Sequence, residues 1–140
     1  MRQLVLPLPE FLIDRSLGVH LAESIRARGY EVHTLRSLYG EEVARKIDDA
    51  VWIRRAGEAG HLALTKDDSI RRNPLYRIAM EDTYAKLFCL PNAQLRTNEI
   101  RTRFLTNLDR IIQRGRHQGP YMYAVHADHL ELLWPRPSMK

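Results

Sequence analysis

Cys89 is the only cysteine in the 140-residue sequence, which excludes an internal disulfide and suits a reducing compartment. No stretch approaches the ~18 uninterrupted apolar residues of a membrane-spanning helix. The apolar opening MRQLVLPLPEFLID is broken by Pro7, Pro9 and Glu10 and lacks a small-residue cleavage pattern, so it is not expected to act as a signal peptide. Together these absences predict a cytoplasmic protein with no membrane association. There is no HExxH or paired-cysteine motif, and the six histidines are scattered along the chain, which argues against a metal site built on histidine and cysteine. The single-glycine turns match neither a phosphate-binding loop nor a dinucleotide fingerprint. Ser16 has no evident base partner, which sets aside serine nucleophile chemistry. Internal repeats, low-complexity segments and dividing linkers are also missing.

What remains is an ordinary globular composition, 44% hydrophobic and 28% charged, in one domain long enough to bury ~70% of its unfolded surface. We expect a single domain over residues 1–134 and a flexible C-terminal tail over 135–140. The net charge is +5, and its distribution says more than its sum. Residues 1–93 hold 14 basic and 13 acidic side chains, whereas residues 94–140 hold 8 and 4. Such a basic excess attracts a polyanion such as nucleic acid or an acidic protein partner.

Strand and helix patterns alternate along the chain. FLID at 11–14 reads as a strand; a helix follows, with Leu17, Leu21 and Ile25 on one face, Ser16 as its cap and Gly29 as its stop. YEVHT at 30–34 is a second strand, followed by a short helical stretch around Glu41 to Ile47. Asp48 or Asp49 can cap a helix that buries Trp52, Ala56 and Ala59 and ends at Gly60. The third strand occupies 61–65. Asn73 and Pro74 start another helix, and KLFCLP is a fourth strand. Thr97 can cap a long helix with Ile100, Phe104, Leu108, Ile111 and Ile112 along its apolar face. YMYAV and LELLW read as a hairpin or a final strand with an edge extension. The pattern predicts a three-layer α/β/α domain with a mainly parallel central sheet of four to five strands. Cys89 and Trp52 are expected in the core, and Tyr121 and Tyr123 in sheet packing.

In such a sheet the carboxyl ends of the strands share one edge, and ligands bind where strand order reverses. With the first strand between the second and third, Asp14 and Asp67 end up on neighbouring strands, ~5 Å apart at the backbone. Asp49 joins them if the loop before its helix folds back over the same edge. Carboxylates crowded in this way repel one another unless a cation sits between them, and an all-oxygen set suits magnesium or manganese. Simpler roles exist for each: Asp48 and Asp49 as helix caps, Asp68 as a turn residue, Arg71 and Arg72 as solvated charges.

FLIDRSLG at 11–18, DDAVWI at 48–53, HLALTKDDSIRR at 61–72, KLFCLPN at 86–92 and YMYAV at 121–125 together resemble the PIN-like domains grouped with VapC-type toxins, in order over nearly the whole chain. The resemblance implies a metal-dependent ribonuclease, the toxin of a toxin–antitoxin pair whose antitoxin occludes the active site. It carries the first family acid onto Asp14, the helix-start acid onto Asp49 and the acid after the threonine onto Asp67. A further family acid could be served here only by Glu41 or Glu42, and Asp68 is a substitute source of charge and a fourth candidate metal ligand.

The expected chemistry is phosphodiester hydrolysis in RNA with Mg2+ or Mn2+ held by Asp14, Asp49 and Asp67 and supplying an activated water. Lys66, Arg71 and Arg72 would neutralise the RNA backbone near the site. Arg103, Arg110 and Arg114 form a stripe that could track a longer strand or meet an acidic antitoxin segment. Expected partners are RNA, a cognate antitoxin and a second copy in a homodimer. Two rivals stand beside this reading. One is an aspartate-based phosphoryl-transfer domain with Asp14 as nucleophile, although Ser16 stands where its second acid would be. The other is a non-catalytic basic domain whose acids are caps.

Overall fold

The computed structural model describes residues 7–91 and 94–136. The tail expected from 135 therefore lies outside the described residues from 137 onward. Strands β1 (Glu10–Ile13), β2 (Glu31–Thr34), β3 (Leu62–Thr65), β4 (Lys86–Cys89), β5 (Tyr121–Val125) and β6 (Leu130–Trp134) form one sheet in the order β2-β1-β3-β4-β5-β6. All neighbours are parallel except β5 and β6. The sheet thus has six strands, against the four to five expected, because LELLW forms a complete antiparallel partner to β5 across a tight connection. Strand order reverses between β1 and β3, as the sequence pattern predicts.

Helices α1 (Val19–Ala27), α2 (Leu35–Tyr39), α3 (Glu41–Lys46), α4 (Asp49–Ala59), α5 (Pro74–Thr83), α6 (Thr97–Thr106) and α7 (Leu108–Gly115) cover both faces of the sheet. Alternation along the strands divides the core in two. Phe11, Ile13, Leu64 and Phe88 face α1, α6 and α7, meeting Leu21, Ile25, Phe104 and Ile111. Leu12, Ala63, Leu87 and Cys89 face the other way, toward Trp52, Ile53, Ala56 and Met80 of α4 and α5. All four residues of β3 are buried, as a central strand sandwiched between helix layers requires. Cys89 lies in the core as expected, and burial pushes its thiol up to about 12.

Several local expectations are altered by tertiary contacts. The long helix breaks at Asn107 into α6 and α7, and Arg96 rather than Thr97 holds the N-cap position. Asn107 is fully buried, and its Nδ2 donates to the carbonyls of Arg103 and His126 at 2.8 Å each. Its side chain therefore competes for helix carbonyls and ties the break to the end of β5. Ser16 caps no helix: α1 starts after Gly18, and the Ser16 hydroxyl donates to Asp14 instead. On α4, Ile53 is buried while Ala59 is exposed. The helix still stops at Gly60, whose left-handed φ of 73° is one that side chains other than glycine rarely take. Among the described residues no helix is long and apolar enough to cross a membrane.

Close approach of α4 and α5 depends on Gly57. A Cβ there would stand 2.0 Å from Thr83 Oγ1 and 2.9 Å from the Thr83 carbonyl oxygen, so the two helices could not stay in contact. Ala would gain helix propensity worth at most ~1 kcal/mol, less than the cost of overpacking. We predict that Gly57→Ala lowers stability by ~1–3 kcal/mol in urea unfolding; an unchanged midpoint would show that α5 shifts freely.

Candidate active site

Asp14 leaves β1 with its backbone N–H still bonded to the Leu64 carbonyl at 3.0 Å, so its position is fixed by the β1–β3 ladder. Its Oδ2 accepts hydrogen bonds from Thr65 Oγ1 at 2.9 Å and Ser16 Oγ at 3.1 Å. Thr65, the last residue of β3, is fully buried. The same hydroxyl oxygen accepts the Asp67 backbone N–H at 3.2 Å, so one side chain joins the ends of two strands. Asp67 then opens a 3-10 turn over Asp68–Arg72, its Oδ1 accepting from Ser69 N at 2.9 Å and Ser69 Oγ at 2.6 Å.

Asp48 caps α4 through the Ala50 N–H, leaving Asp49 as the first helical residue. Asp49 Oδ1 accepts from the indole Nε1 of Trp52 at 2.8 Å. Since Trp52 is wholly buried, the carboxylate is held against the rim by a core residue. Burial pushes the Asp49 carboxyl above the ordinary carboxylate range; the Trp52 bond opposes this, and the negative charges of Asp14, Asp67 and Asp48 add to it. The loop before α4 does therefore return to the edge where β1 and β3 end. The aspartates are kept in place by hydroxyl and N–H donors rather than packed oxygen against oxygen, as like charges dictate.

Other predicted residues divide into two groups. Asp68 and Arg71 are partners of each other: Arg71 Nη1 donates to the Asp68 carbonyl oxygen and stands 3.8 Å from its carboxylate. Arg72 is exposed and Lys66 half-buried, both beside the acids in sequence. Glu41, but not Glu42, lines a cleft of about 230 Å³ that also contains Asp14, together with Arg15, Arg36 and Arg45. The arginine stripe has partners in the fold. Arg103 donates to the Val125 carbonyl at 3.3 Å, Arg110 to Asn107 Oδ1 at 3.1 Å, and the Arg114 guanidinium stands 5.2 Å from the Tyr123 ring centre.

Three features were not visible from sequence. Tyr76 of α5 stands in the field of Asp48, Asp49 and Asp67; burial, then these acids, push its hydroxyl up to about 12. Arg15, Arg36 and Arg45 surround Asp14's cleft without any motif to mark them. The histidines are less scattered than their spacing suggests. His33 and His61 meet Glu10 at the opposite, amino end of the strands, where their ligand atoms all lie within 4.8 Å of one another. There the hydrogen bond with His33 holds the Glu10 carboxyl below its usual range, and burial pushes the His61 imidazole down.

The raised Asp49 value fixes a sign. In the metal-free protein the folded state holds this proton more readily than the unfolded chain, so stability falls as pH rises from the ordinary carboxylate range through the raised value. Asp49→Asn keeps an oxygen for Trp52 and removes the charge. We predict that it is more stable than the wild type at neutral pH without divalent ions, the difference vanishing at acid pH. Paired denaturant titrations check this, and subtracting the two proteins removes the contribution of Glu10, which runs the other way. Equal stabilities at neutral pH would contradict the crowding of charge.

The chain is similar to known proteins over most of its length. A family model described as "PIN like domain" matches residues 9–92. A Mycobacterium tuberculosis protein named "Putative ribonuclease VapC45" is 36% identical over 126 residues, covering 89% of this chain and 91% of that protein. No solved structure matches the chain.

Proposed function

Because this chain belongs to the PIN-like domain family, in its VapC-type branch, we propose that it is a metal-dependent endoribonuclease and the toxin of a toxin–antitoxin pair. The relative's name supports the ribonuclease class. The observation that carries the reading to this chain is the Asp49 carboxyl, which sits in the combined field of Asp14 and Asp67 although the three lie far apart in sequence.

The donor set fits Mg2+ or Mn2+. Its members are carboxylates, its charges repel without a cation, and no soft ligand stands among them. Asp14, Asp49 and Asp67 would hold the ion, with Asp68 and Glu41 adding negative charge nearby. Such an ion, when bound, offsets charge on the phosphate and makes water at the rim more acidic. The chain's own contribution is positional. Thr65 fixes Asp14 relative to Asp67, Trp52 holds Asp49, and Ser16 and Ser69 orient the outer two carboxylates.

Lys66 and Arg72 would meet the phosphates of the RNA, with Arg15, Arg36 and Arg45 extending the basic rim along Asp14's cleft. Arg71 serves by holding Asp68. Arg103, which donates to the Val125 carbonyl, serves the fold, while the exposed Arg110 and Arg114 would extend the surface that meets RNA. An antitoxin would use the same basic surface, so its segment there is acidic; the reading also includes a homodimer and a cytoplasmic setting.

Asp14→Asn and Asp67→Asn are each expected to lower RNA cleavage by at least ~100-fold while the protein still folds. Chelation should abolish wild-type activity, with Mg2+ or Mn2+ restoring it; full activity in both variants, or in chelator, would refute the assignment. For binding, Lys66→Ala and Arg72→Ala should each reduce the salt slope of RNA affinity by about one. Arg103→Ala should leave that slope unchanged and lower the unfolding midpoint.

A further inference from the structure

Glu10, His33 and His61 belong to three separate segments: the start of β1, edge strand β2, and the residue that leads into β3. His33 Nε2 stands 2.8 Å from Glu10 Oε1, and His61 Nε2 stands 3.5 Å from the same oxygen. The two imidazoles are stacked, with centres 4.5 Å apart and planes 4° from parallel. Glu31 is Glu10's register partner on β2. Two imidazoles and one carboxylate thus converge on one spot, their ligand atoms all within 4.8 Å of one another.

His61 presents Nε2 to Glu10 and has its other ring nitrogen, Nδ1, buried without a hydrogen bond, a state that native folds rarely leave unexplained. The spot is accessible, since Glu10 and His61 line a cleft of about 480 Å³ bounded also by Pro9 and Arg116. Lys86 lines this cleft too, but its ammonium donates to the Gly115 carbonyl at 2.7 Å.

We propose that Glu10, His33 and His61 form a transition-metal site that clips edge strand β2 to β1 and to the segment entering β3. Its location sets it apart from the aspartates, which stand at the carboxyl end of the same strands. Mixed imidazole and carboxylate donors favour Zn2+ over the hard ions that suit the rim. Parallel rings cannot both point a nitrogen at one ion, so binding splays them. His33 has room for this, being on the sheet edge with 26% of its side chain exposed.

The test uses the full chain, stripped of metal and carrying Asp14→Asn and Asp67→Asn so that the rim cannot compete. Calorimetric titration with Zn2+ should give one ion per chain, Co2+ should develop the visible absorption of a site with nitrogen donors, and Zn2+ should raise the unfolding midpoint. Mg2+ should do none of these. Adding His33→Ala should weaken Zn2+ binding at least ~10-fold and abolish the Co2+ spectrum and the midpoint shift. Glu10→Gln gives the same reading should the His33 variant fail to fold. A rim-disabled chain that binds no Zn2+, or that binds it equally well after His33→Ala or Glu10→Gln, would overturn the site and leave an ordinary histidine–carboxylate pair.

Discussion

One buried hydroxyl organises the acidic rim. Thr65 ends β3 with no exposed surface, donates to the Asp14 carboxylate and accepts from the Asp67 backbone. A hydroxyl is suited to both tasks because it carries one donor and two acceptor lone pairs. Valine, nearly the same shape, would take from the Asp14 carboxylate one of its two hydroxyl donors and from the Asp67 N–H its acceptor. The position of Asp14 relative to Asp67 is therefore set by the parallel ladder and by one side chain within it. Asp49 depends on the same core by another route, through the indole of Trp52.

The layered fold was legible because the two cores are written into alternate residues of each strand. Phe11 and Ile13 face one helix layer while Leu12 faces the other, and the intervening helices carry their apolar stripes at the expected spacing. What escaped the sequence pattern was decided by distant partners. Asn107 reads as a tolerable helix residue until His126 is brought beside it, whereupon its side chain divides the helix. Ser16 looks like a cap and is used as a donor to Asp14. LELLW reads as the second arm of a hairpin or as an edge extension, and the free edge of β5 decides for the hairpin.

The acidic site was legible in part for a similar reason. Asp14 directly follows buried β1 and Asp67 comes two residues after the end of buried β3, so topology alone places them at one edge; Asp49 needed the resemblance as well, since nothing local says which way its loop turns. Tyr76 and the cluster of Glu10, His33 and His61 were hidden because their members are far apart in the chain and lie in no motif. Part of the basic excess after residue 93 also contacts the fold, with Arg103 on a carbonyl, Arg110 on an amide and Arg114 over a ring, and these guanidinium groups keep their charge.

The complete burial of β3 bears on how the rim meets a ligand. A strand packed on both faces and paired on both sides is among the last parts of a domain to open, and Thr65 is its final residue. The carboxylates it organises are thus preorganised, and little conformational entropy remains to be lost when a cation or a phosphate arrives.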